Sequence, residues 1–217
     1  MTNESVRGGI VQAEARRQER KQQLLQIALE LFATVGYEKT KVSDIVAKGN
    51  VSQGTFYWYF KSKEAIALEM LEIGRAQLLD AIKLGYRTKK VDLQDSVAST
   101  TQMFERIFHF AENNKYFMNI LLKGIHSQPK IQEKVEEIKA DMETAFAENI
   151  AQAKELKMIS REVDPKLLAV FIMSLLEGVL ARWLFQSPSS KDALQQKTLQ
   201  QLIEETVHFE FFGIFGV

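Results

Sequence analysis

The sequence predicts an all-α fold, and three observations carry that reading. Apolar residues recur at three- and four-residue spacing along most of the 217 residues. Only three prolines and eleven glycines interrupt the chain, so long stretches contain neither helix breaker. The apolar-polar alternation of half-buried strands is missing. With 46% hydrophobic residues the chain can bury one substantial core and a small appended domain.

The first 15 residues are polar and read as a flexible basic arm, with Arg7 more readily part of a solvated tail than a contact residue. A helix follows, basic at its start through Arg16, Arg17, Arg20 and Lys21, with a stripe of Leu24, Ile27, Ala28, Leu31 and Phe32 that ends at Gly36. Thr40 reads as the N-cap of a second helix that buries Val42, Ile45 and Val46. Gly49-Asn50 tolerates left-handed backbone, so the chain turns sharply there. Ser52 caps a third, very short helix, anchored by Phe56 and Phe60 one turn apart, with Gln53 and Thr55 at its exposed start.

Two short helices joined by a tight turn, the second rich in donors and aromatics, form the pattern of a helix-turn-helix DNA reader. In such a motif the start of the second helix reaches base edges in the major groove. The charge distribution agrees. The formal net charge is zero overall, yet residues 1–63 carry more Lys and Arg than Asp and Glu, and the rest of the chain carries the matching acidic excess.

Further helices are expected from Ser62 or Lys63 to about Leu84, over Asp92 to Asn113, from Lys115 to about residue 126, from Pro129 to about Leu156, and over Pro165 to Phe185. Asp164-Pro165 is a clear start signal, a capping acid followed by proline at the first helical position. A last helix is expected from about Ser189 past Val207.

The run ALELFATVGYEKTKVSDIVAKGNVSQGTFYWYFKSKEAI, residues 28–66, resembles the N-terminal domain of the TetR family of bacterial transcriptional regulators. It departs from the usual family pattern at Gly49-Asn50, where Ala-Gly is common, and at Tyr59, where His is common. The resemblance implies a helix-turn-helix DNA-binding domain over residues 16–63 and a helical effector-binding and dimerisation domain over 64–217. It implies that Gln53 and Thr55 touch bases. Tyr57, Trp58 and Tyr59 would meet the DNA backbone or thymine methyls, and Lys63 a phosphate. With Thr40, Ser52, Gly54, Lys61, Arg16 and Arg17 these residues make the expected DNA-binding set. The helix after Lys63 would link the two domains and carry an effector signal.

In the body, Leu167 to Leu184 is apolar almost all round, with small residues that permit close helix approach. It reads either as a buried core helix or as a face that pairs with its copy in a homodimer. Leu175, Gly178, Val179, Arg182, Leu199, Leu202 and Ile203 are the expected dimerisation residues. Phe104, Phe108, Phe117, Met118, Leu121, Met142, Phe146 and Met173 are core residues by default. As a set they also suit an adaptable cavity for a small hydrophobic effector. Glu177 is the acid within this apolar run and requires a cationic partner, from a ligand, from Arg182 or from a second copy.

Enzyme chemistry finds no support. Glycine-rich phosphate loops, nucleophile elbows and paired histidines at metal spacing are missing, so no cofactor and no metal are expected. The absence of cysteine removes disulfides and thiolate metal sites and suits a reducing compartment. The polar N-terminus does not resemble a signal peptide, and no apolar run is read as bilayer-spanning. The expectation is a soluble cytoplasmic repressor whose partners are double-stranded operator DNA, a small hydrophobic effector and a second copy of itself, with no membrane partner. Two alternatives remain open: a ligand-binding or scaffolding protein whose head does not read DNA, and a DNA-binding activator without an effector.

Overall fold

The structure, a computed structural model, describes residues 3–125, 127–159, 162–186 and 193–213, with side chains from Gln12 onward except that of Gln195. Among the described residues the regular structure is entirely helical. The α-helices are α1 (Asn3–Leu31), α2 (Val42–Gly49), α3 (Gln53–Tyr59), α4 (Lys63–Ile82), α5 (Leu93–Asn113), α6 (Lys115–Lys123), α7 (Pro129–Glu155), α8 (Pro165–Phe185) and α9 (Leu199–Phe212). A π-helical turn over Phe32–Gly36 ends α1, and short 3-10 segments occupy Lys83–Gly85 and Ala193–Gln196.

Several boundaries correct the sequence reading. The segment read as a flexible arm is helical from Asn3 and continuous with α1; the side chain of Arg7 lies outside the described residues. The last helix starts at Leu199 rather than near Ser189. Thr198 caps it by accepting from Gln201 N–H, while Gln201 accepts from Thr198 N–H in return; residues 187–192 are outside the described set. By contrast α5 and α8 start where their local signals place them, with Asp92 accepting from Asp95 N–H and Asp164 from Lys166 N–H.

The core of α1 to α3 is built from Leu24, Ile27, Ala28, Ile45, Val46, Phe56 and Phe60. α4 then enters the body, where Phe104, Ile107 and Phe108 of α5, Met118 of α6 and Phe146 of α7 are sealed from solvent. α4 passes so close to α6 that a Cβ at Gly74 would overlap the buried Phe117 ring. α9 packs on α5 through Leu202, Ile203, Thr206 and Val207.

α4 and α7 run side by side and parallel, joined by polar links at nearly constant sequence offset. Lys130 pairs with Glu64 (2.9 Å), Arg75 with Asp141 (2.6 Å), and Tyr86 Oη donates to Gln152 (3.1 Å), each pair 66 residues apart. Asn149 Nδ2 donates to Ile82 O at 2.9 Å, capping a free carbonyl at the end of α4. Lys134 adds an ion pair to Glu72 at 2.7 Å.

α8 packs on α7 through Ala169, Met173, Leu176 and Leu180, a stripe of four- and three-residue steps. Its opposite side leaves Leu167 50% and Phe171 59% exposed. By length and composition alone this helix is apolar enough to cross a membrane, which corrects the sequence reading that no run reaches that length. Only 22% of its most apolar stretch is buried within the chain.

Candidate nucleic-acid interface

The interface is assembled by local capping. Lys41, not Thr40, is the N-cap of α2, and the Asp44 carboxylate accepts from Lys41 N–H at 2.7 Å. At the far end Asn50 takes the left-handed conformation (φ 49°, ψ 50°) and donates its N–H to Ala47 O. Gly49 keeps the end of α2 against α1, where a Cβ would sit 3.3 Å from Leu24 Cδ2. Ser52 Oγ accepts from Thr55 N–H at 3.1 Å and starts α3. Phe56 and Phe60 are buried, with ring centroids 5.7 Å apart. The polar start of α3 therefore has nowhere to point but outward.

Gln53 and Gly54 are exposed and Thr55 is half-buried, its hydroxyl 3.0 Å from Ser52 Oγ. Tyr57 is 54% and Trp58 60% exposed. The Arg17 guanidinium from α1 lies over the Trp58 ring at 4.5 Å, and Tyr59 meets the same ring edge-on at 4.6 Å. Arg16, the chain neighbour of Arg17, and Lys61, just past the end of α3, are exposed as well. Ten of the twelve expected DNA-binding residues thus lie on or beside one surface around α3.

Thr40 and Lys63 do not belong to that surface. Thr40 is buried, and its hydroxyl donates to Gly36 O at 2.8 Å, closing the turn that the positive φ of Gly36 (98°) opens. Lys63 donates from Nζ to Tyr37 O (2.7 Å) and Thr40 O (2.9 Å), with the ammonium 4.1 Å from the Tyr37 ring centroid. It is a clamp between the start of α4 and the α1–α2 connection, and both its carbonyl partners are too far along the chain for a local pattern to reveal. Burial, reinforced by Glu64 and Glu38, pushes the Tyr37 phenol up to about 12.

Other ties fix α1 to α3 on the body. Lys21 pairs with Glu69 on α4. Glu38 accepts from Gln128 at 2.6 Å, just before α7, and this bond, with one from Ser127, holds its carboxyl below the usual range.

In the body, Phe104, Phe108, Phe117 and Phe146 are closed into the packing. Met118, Leu121, Met142, Met173 and Glu177 do surround an internal cavity, of only about 20 Å³. Glu177 is part-exposed and pairs with Lys139 of α7 at 3.1 Å. The sequence reading missed Lys139, which lies on a different helix with no local signal. Of the expected dimerisation residues, Gly178 and Arg182 are exposed and Leu175, Val179 and Leu199 half-buried. Leu202 and Ile203 are buried against α5 and cannot meet a second chain without unpacking α9, which corrects their assignment.

A short, externally aromatic helix set across a capped two-helix turn defines a helix-turn-helix DNA-binding protein. Residues 24–70 match the family described as bacterial regulatory proteins, tetR family. The chain is 24% identical over 185 residues to the HTH-type transcriptional regulator YdgC of Bacillus subtilis, covering 85% of this chain and 91% of that one. It is 42% identical over 62 residues to YvdT of the same organism, 29% of this chain and 32% of that one. Among solved structures, the fatty acid degradation regulator FadR of Bacillus halodurans superposes with a TM-score of 0.72 at 18% identity, covering 91% of this chain and 97% of its own. FadR of Bacillus subtilis, in complex with stearoyl-CoA, gives 0.70 at 19% identity over 89% and 98%. Residues 24–70 are thus a DNA-binding domain of the tetR type, and along most of its length the chain is similar to HTH-type transcriptional regulators.

Proposed function

We propose that this protein is a dimeric repressor that binds a palindromic operator in the cytoplasm and is released by a small hydrophobic effector. The observation that carries the reading is the outward face of α3, with Gln53 and Thr55 at its start and Tyr57, Trp58 and Lys61 beyond, held on a head that is tied at several points to α4 and α7. Gln53 and Thr55 read bases; Arg16, Arg17, Tyr57, Trp58, Tyr59 and Lys61 hold phosphates and sugars. Residues 16–63 act as the reader and 64–217 as the body that senses and dimerises.

The exposed apolar side of α8, with Leu167, Phe171, Gly178 and Arg182, supports pairing with a second α8. The methionine-lined cavity supports a hydrophobic effector, and the stearoyl-CoA bound by the Bacillus subtilis relative supports one with a long alkyl chain. An effector that binds one arrangement of the body more tightly than the other shifts α4 and so the separation of two recognition helices.

Mobility-shift assays on the DNA upstream of the protein's own gene test the proposal. A specific, salt-dependent complex is expected, lost on Gln53→Ala with Thr55→Ala. A head that retards all duplexes equally, with or without those residues, would remove the reader role.

A further inference from the structure

Two spaces in the body share a wall. The outer one is an open groove of about 860 Å³ between α7 and α8, with Ala140, Ala147 and Ala151 on one side and Val170 and Ser174 on the other. The inner one is the small apolar cavity already described. Met173 and Glu177, one turn apart on α8, line both. The groove is therefore separated from the core by one flexible thioether and one carboxylate, and that carboxylate is engaged by Lys139 at 3.1 Å.

The groove is not electrically neutral. Glu143, Glu148, Asp164 and Glu177 line it against Lys139 and Lys166, an excess of carboxylates over ammonium groups. The Lys139–Glu177 pair is itself part-exposed, so water already competes for it and a ligand cation can exchange with it at modest cost. Behind it, Met118, Met142 and Met173 are unbranched and repack readily, which lets an apolar chain enlarge a cavity too small to hold one at rest.

We propose that groove and cavity form one site for a single-chain amphiphilic cation: the alkyl chain passes Met173 into the core and the cationic head replaces Lys139 against Glu177. The inference rests on the effector reading above and names the compound class that the effector site takes. Glu177 recognises the head, and Lys139 is the intramolecular occupant that the ligand displaces.

Calorimetric titration of the full chain with dodecyltrimethylammonium and with dodecanoate, both below micelle formation, tests it. The cation is expected to saturate one site per chain and dodecanoate to bind at least about tenfold more weakly. Glu177→Gln should weaken the cation about tenfold, since it removes the charge that the head pairs with. Lys139→Met should act in the opposite direction and tighten the cation, because the carboxylate no longer has a resident partner. Circular dichroism checks that both variants fold; a merely structural ion pair would not give effects of opposite sign. Preference for dodecanoate, or a cation affinity indifferent to both substitutions, overturns the proposal. Operator retardation in the presence of the same two compounds separates the two readings. Saturable cation binding without operator release leaves the site standing and removes the effector role, whereas release by other hydrophobic compounds but not by the cation does the reverse.

Discussion

Arg75 on α4 donates from Nε to Asp141 on α7 at 2.6 Å while its Nη1 reaches Glu72 at 2.8 Å. One guanidinium thereby spans the seam and braces its own helix. Because both ends are about a third exposed, the pair is worth roughly 0.5–1 kcal/mol. A double-mutant cycle of Arg75→Met and Asp141→Asn in chemical denaturation should return a coupling of that size, falling at high salt. Zero coupling would mean that the seam is held by its apolar contacts alone.

Gly74 faces the Phe117 ring with no room for a methyl group. Gly74→Ala should therefore destabilise the protein, by roughly 1–3 kcal/mol, despite the better helix propensity of alanine. Phe117→Leu in the same chain should recover part of the loss. Thermal unfolding of the single and double variants decides it; a stabilised Gly74→Ala would show that α4 and α6 stand further apart.

Lys63 offers a sharp contrast with Lys61. Lys63→Ala removes two charge-assisted hydrogen bonds to carbonyls and should cost about 2 kcal/mol in stability while leaving the salt dependence of DNA binding unchanged. Lys61→Ala should leave the melting temperature in place and reduce the salt slope by about one. The reverse pattern would return Lys63 to the phosphate contacts.

Glu210 supplies a pH dependence. Its Oε2 is sealed from solvent without a hydrogen-bond partner, and burial pushes its carboxyl from 4.5 up to about 7. Between these values the folded chain keeps a proton that the unfolded chain has released. Its contribution to stability is thus full below pH 4.5 and lost as the pH rises through 7. Denaturation free energies should fall by on the order of 2 kcal/mol across this window, and Glu210→Gln should flatten the profile. A wild-type curve already flat there would place Glu210 in contact with water.

The parts readable from the sequence are those fixed by neighbours within one turn. Asp92 and Asp164 start their helices, Asn50 turns the chain, and Phe56 and Phe60 anchor α3, because each obeys a local rule. Thr40 failed as a cap because a distant geometry, the π-helical end of α1, claimed its hydroxyl. Lys63 and Lys139 were misread or missed because their partners lie on other segments. Phe104, Phe108 and Phe146 show why a pocket cannot be read from periodicity: the same spacing serves a closed core and a cavity wall.

The α4–α7 seam constrains how this chain can change by insertion and deletion. Its links repeat at an offset of 66 residues, so a residue added in the loops between the two helices alters that number everywhere and disturbs no contact. A residue added in α7 between Lys134 and Asp141 instead swings every later side chain about 100° around the helix axis, so that Asp141, Asn149 and Gln152 lose their partners together. Length variation in relatives that keep this seam should therefore gather in the connections, with α4 and α7 inherited as a pair of matched length.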